Sequence, residues 1–166
     1  MGYLPIILAL LGFIFLWAIV NYNSIKLKKA EAEQASKLVF QQAALRSTII
    51  KRMANISHED ATLLQTVQRV KNSLNDYEEG QISTVEKIEA EKKVNASIND
   101  IPQDYIKDSP YSEAYHQLQI AHNNYQRVAA VYLSKVKNYE ELLHRYPSKL
   151  IASAGGFKPL NQEQKS

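Results

Sequence analysis

The sequence contains no cysteine. Disulfides, thiolate nucleophiles and cysteine-based zinc or iron–sulfur sites are therefore excluded. Glycine and proline are scarce, five each in 166 residues, which favours long uninterrupted elements over a turn-rich β fold. No segment alternates polar and apolar residues as a half-buried strand would. The net charge is only +3, with both signs mixed along the chain. A nucleic-acid partner would need a concentrated basic face, so none is expected.

The first clear feature is an uncharged apolar run, Tyr3–Val20. As a helix it would reach roughly 27 Å, close to the hydrocarbon thickness of a bilayer. Pro5 falls near its first turn, where a missing N–H does no harm. Tyr3 at one end and Trp17 and Tyr22 near the other suit the two membrane interfaces. A buried core helix would need protein all around it. A cleaved signal peptide would show Lys or Arg before the run and an A-x-A pattern after it, and neither is present. The expected partner of residues 3–20 is thus the lipid bilayer. Lys26, Lys28 and Lys29 follow the span directly, and positive charge is retained on the cytoplasmic side. The expected topology is single-pass, N-terminus outside and domain inside. Those lysines would also lie near anionic headgroups.

The remainder reads as helix. Tyr111, Tyr115, Leu118, His122, Tyr125, Ala129, Tyr132, Val136, Tyr139, Leu143 and Tyr146 recur at alternating intervals of four and three, the seam of helices packed side by side. Ala114, Ala121, Val128 and Leu142 widen that stripe. Ser109-Pro110 supplies a start and Pro147 a stop. An earlier pattern, Leu38, Leu45, Ile49, Ile56, Leu63, Val67, Val70, Leu74 and Tyr77, keeps the same rhythm, with Gln42 and Asp60 at intervening positions. It can extend back through Val39, Ala35, Ala32 and Ile25 into the span. The polar stretch Asn55–Asp60 reads either as a kink, with Ser57 and Asp60 forming a capping-box-like start, or as the solvated face of one continuous helix. Gly80 ends this element. Ser83 and Glu86 form a capping box for a shorter helix to about Ser97, with Val85, Ile88, Glu89 and Lys92 on its visible turns. Residues 99–109 read as a loop.

The expected fold is all-α: an N-terminal transmembrane helix followed by a long antiparallel bundle of three helices, in which the 38–77 and 111–146 seams face each other. The expected divisions are an anchor over 1–21, a helical bundle over 22–147 and a C-terminal tail over 148–166. The buried tyrosines would need partners for their hydroxyls.

No catalytic, cofactor-binding or metal site is expected. His58-Glu59 begins like H-E-x-x-H, but Thr62 stands where the second histidine belongs. His116 and His122 are six residues apart and point to different sides of a helix, and His144 offers no shared ligand face. His122 falls on the seam and reads as a core histidine bonded to a facing Gln or Asp. Glu86, Glu89, Glu91, Glu140 and Glu141 read as solvated faces mixed with lysines. Gly155-Gly156 lacks the strand and helix that a phosphate loop needs.

The pieces together resemble the LemA family. Tyr22-Asn23 after the span matches the family's "YN". His58-Glu59 resembles its "HE". Tyr132, Val136, Tyr139 and Tyr146-Pro147-Ser148 follow its run of "YN…V…YN" and "FP". Leu150, Ala152, Gly156 and Phe157 resemble its terminal "L.A…GF". Ile49–Ala54 replaces the family's "LIPNLV". The resemblance implies a bacterial single-pass membrane protein with an antiparallel helical domain and no established activity. It also points weakly to a membrane-protein partner of the TPM-domain class. The expected function is that of a non-catalytic, membrane-anchored scaffold or adaptor. A component that senses envelope stress or anionic lipid is the second reading, and an unrecognised enzyme the third.

Overall fold

The computed structural model describes residues 3–56, 61–75, 83–99 and 112–160. All regular structure among them is α-helix: α1 (Leu4–Ile56), α2 (Ala61–Asn75), α3 (Thr84–Asn99), α4 (Ser112–His144) and α5 (Ser148–Ala154). The expected signals at Ser57–Asp60, Gly80 and Ser109-Pro110, together with Tyr77 and Tyr111, lie outside the described residues.

The 53 residues of α1 span about 80 Å. No glycine or proline interrupts it after Gly12, so the backbone ladder runs unbroken from the apolar run into the domain. Its apolar window has a mean hydropathy of 2.4, and none of its residues is buried by the rest of the chain. By length and composition it is apolar enough to cross a membrane.

Beyond the span, α1 packs against α4. Asn21 meets Ser148 just past the end of α4, Glu31 meets Lys135, and Arg46 meets His122. Residue numbers rise along one helix as they fall along the other. α3 lies along the same pair in the direction of α1, with Ser36 bonded to Thr84 and Arg46 to Asn95. The capping box forms as the sequence indicates: the Ser83 N–H donates to Glu86 Oε2 at 2.9 Å, and the Glu86 N–H to Ser83 Oγ at 3.3 Å. Two orphan donors at the start of α3 are thereby satisfied.

One expected element divides. The 38–77 pattern is not a single helix, because α1 ends at Ile56 and α2 begins at Ala61. Val67 and Val70 share a small apolar cleft with Ile50, Met53 and Leu118. In one continuous helix, Ile50 and Val70 would be about 30 Å apart. The chain therefore folds back, and α2 covers the far end of α1 instead of prolonging it. Two apolar clusters result. The first joins Ile25, Ala32, Ala35, Val39 and Ala43 to Tyr125, Tyr132, Tyr139 and Leu143. The second joins Ile50 and Met53 to α2, α3 and Leu118.

The seam of α4 matches its sequence pattern from Leu118 to Leu143. Tyr146, by contrast, is 67% exposed, because α4 ends at His144. The seam of α1 is displaced by about one residue from the expected line. Leu38 and Leu45 are 44% and 48% exposed, while Ala32, Ala35, Val39, Ala43, Arg46, Ile50 and Met53 are buried. The buried line keeps the three-and-four rhythm but is lined with small side chains. Large rings on α4 need space opposite them, and alanines provide it.

Candidate functional site

The polar centre of the domain is built on Arg46, which is fully buried in the middle of the α1 seam. Its Nη2 pairs with a Glu91 carboxylate oxygen on α3, and Glu91 is itself only 1% exposed. Arg46 Nη1 donates to Asn95 Oδ1 at 2.6 Å and lies 3.3 Å from His122 Nδ1. The guanidinium carbon stands 4.3 Å from the centre of the Tyr125 ring, a cation–π contact. Lys87 Nζ is 3.8 Å from the second Glu91 oxygen. One arginine thus ties α1 to both α3 and α4.

The protonation states follow from the contacts. Burial pulls the Arg46 guanidinium down to about 10, which leaves it charged at neutral pH. Arginine has no acceptor, so His122 Nδ1 must present its lone pair. On the other side of the ring the Gln126 side-chain Nε2, itself a donor, lies 2.9 Å from His122 Nε2. Burial first, and the Arg46 charge second, hold the His122 pKa below its usual value. Burial pushes the Tyr125 hydroxyl up to about 12, against a smaller opposing effect of Arg46. The cluster is therefore a sealed electrostatic joint. Arg46, Glu91 and His122 are all buried, and the acid and base are committed to each other.

Its members stand differently in the sequence. His122 is buried on the seam where the pattern places it, but the group facing it is Arg46 and not the expected Gln or Asp; its Gln126 contact lies one turn along the same helix. Glu91 corrects the expectation of a solvated face, because it projects inward with Ile88, Val94 and Ile98. Arg46 is not singled out by its neighbours. The available signal was its place in register between Val39, Ala43, Ile50 and Met53: a charge on an apolar period marks a buried pair. Among the described residues no three His, Asp or Glu side chains gather as a metal site would require. His116 and His144 are exposed and separate from His122.

The end of the domain nearest the apolar run is built differently. α5 packs on both α1 and α4. Ser148 Oγ donates to Asn21 Oδ1 at 3.1 Å. Gly155-Gly156 stops the helix by a Schellman arrangement: Phe157 N–H bonds Ala152 O at 3.0 Å and Gly156 N–H bonds Ser153 O at 3.3 Å. Gly156 has φ +70°, the left-handed conformation that glycine supplies without strain. The turn sets the Phe157 ring edge-on to Tyr22 at 5.3 Å. Tyr139 Oη donates to the Lys158 carbonyl at 2.9 Å, giving one seam tyrosine its hydrogen-bond partner. The expected tail thus carries a fifth helix clamped to the base of the domain.

Two of the three flanking lysines are engaged with carboxylates: Lys28 with Glu31 at 3.2 Å and Lys29 with Glu33 at 3.8 Å. Glu31 also meets Lys135 on α4 at 2.7 Å. These cations, Lys135 foremost, hold the Glu31 carboxyl below its usual range. On the opposite end of the domain, Leu45, Thr48, Ile49 and Arg52 face Ile120, Ala121 and Asn124 across an open groove between α1 and α4. No family model, curated protein or solved structure matches the chain.

Proposed function

We propose that the chain is a non-catalytic, membrane-anchored scaffold: a bundle with three helices in section, α1 and α4 antiparallel, standing on a single span and presenting a helix face to a membrane-protein partner. The observation that carries this reading is the continuity of α1, which leaves the apolar run and enters the packed domain without a break. A flexible linker would decouple a domain from its anchor. An uninterrupted helix fixes the height and rotation of the domain relative to the bilayer. The flanking lysines favour a cytoplasmic domain in a bacterial cell membrane. The quoted motifs support membership of the LemA family, and with it a partner of the TPM-domain class. The anionic-lipid-sensing alternative through Lys28 and Lys29 is weakened by their carboxylate partners.

The groove beside Leu45 and Ile120, both about half exposed, is the presenting face in this reading. A photo-activatable residue at Ile120 should yield a discrete adduct with a membrane protein in intact cells, whereas one at Glu113, exposed near the start of α4, should yield none. The same adduct from both positions, or from neither, would count against a specific docking face.

A further inference from the structure

α5 descends α1 toward the apolar run. Its first residue, Ser148, is bonded to Asn21. Further along, Ile151, Ala154 and Gly155 share a cleft with Ala18, Ile19 and Tyr22. Ala18 and Ile19 belong to the last turn of the uncharged run that ends at Val20. At 1.5 Å per residue, the end of α5 stands within about 5 Å of the depth at which the span ends. Protein packed beside the final turn of a span occupies the headgroup layer.

The chemistry of the segment suits that layer. Leu150 is 55% exposed, and Ala154, one turn on along the same face, is exposed too. Arg145, Lys149 and Lys158 are likewise exposed, and residues 145–158 contain no acidic side chain. An apolar edge flanked by cations, with no acidic side chain within the segment, is the pattern of an interfacial helix on an anionic surface. The Schellman turn and the Phe157–Tyr22 contact fix the segment at this depth.

We propose that residues 145–158 form a second membrane contact, with the Leu150–Ala154 edge of α5 at the acyl boundary and Arg145, Lys149 and Lys158 against anionic headgroups. The proposal rests on residues 3–20 being a membrane span. It makes the base of the domain a two-point seat, in which the span sets position and α5 limits tilt.

Because the chain has no cysteine, single-cysteine variants carry a fluorophore at one chosen place. Leu150→Cys, Ile14→Cys and Ser134→Cys full-length chains, labelled with an environment-sensitive dye, are placed in phosphatidylcholine–phosphatidylglycerol vesicles containing spin-labelled lipid. The labels at positions 14 and 150 should both lose fluorescence, position 150 most strongly to lipid labelled near the headgroup. Position 134 should lose none. Adding Lys149→Glu and Lys158→Glu should reduce the quenching at position 150. Quenching at 14 but not at 150 overturns the proposal and leaves the span intact. No quenching at 14 overturns the span reading, and the proposal with it. Undiminished quenching at 150 after charge reversal overturns the headgroup role of the lysines.

Discussion

Arg46 shows how much depends on a single side chain. Its charge lies out of water and is compensated by Glu91, Asn95, His122 and the Tyr125 ring. A buried pair of this kind contributes little net stability against well-packed apolar residues, yet breaking it strands the remaining charge. Arg46→Met should destabilise the full chain in detergent by about 3–5 kcal/mol, as should Glu91→Leu, whereas the double variant should recover most of that loss. Denaturation followed by circular dichroism measures the cycle, and simple additivity would contradict the coupling. His122 adds a pH dependence. Its folded-state pKa is depressed, so the unfolded chain takes up the proton first as pH falls. The stability associated with neutral His122 is complete above the unfolded pKa of about 6.5 and is lost below it, toward the folded value. His122→Leu should flatten the melting temperature between about pH 7 and 5. An unchanged profile would place the ring in contact with water.

At the level of elements, the α1–α4 contact sets large against small. Tyr125, Tyr132 and Tyr139 on α4 are fully buried in one cluster with Ala32, Ala35 and Ala43 on α1. Tyr132→Ala should cost on the order of 3 kcal/mol through lost burial and a cavity. Ala43→Leu should cost about 1–3 kcal/mol through overpacking. Leu38→Ala, on the half-exposed side of α1, and Ser134→Ala, on the exposed side of α4, should each change stability by less than about 0.5 kcal/mol. The order Tyr132 and Ala43 above Leu38 is the decisive result, because an assignment by hydrophobicity alone reverses Ala43 and Leu38. α3 is the least apolar of the packed helices. It is held by polar links to α1 at both Ser36 and Arg46, which accounts for its weak signal in the sequence.

For the whole molecule, one helix carries both the apolar run and one side of the domain, so in the proposed reading the orientation of the run in the bilayer decides where the domain lies. A cysteine at the exposed Ser134 should resist a membrane-impermeant thiol reagent in intact cells and react after lysis. Labelling of intact cells would invert the proposed topology. The surface ion pair Glu31–Lys135 links α1 to α4 just beyond the apolar run, and Lys28 joins Glu31 from the preceding turn of α1 itself. They orient the base of the domain more than they stabilise it.

The local sequence by itself determined the uncharged run, the helical class, the α4 seam from Leu118 to Leu143 and the capping box at Ser83 and Glu86. Each depends on composition, on spacing along one helix, or on residues within a turn of each other. Tertiary structure alone decided three things. α2 folds back onto α1, because Val67 and Val70 bury more against Ile50 and Met53 than by extending α1 into solvent. Alanines, not leucines, line the α1 seam, because the tyrosines opposite require the space. Arg46 and Glu91 are buried, because each is tolerable inside only when the other is there. Their 45-residue separation in the chain is closed by the packing of α3 on α1, an arrangement that no periodicity within either helix encodes.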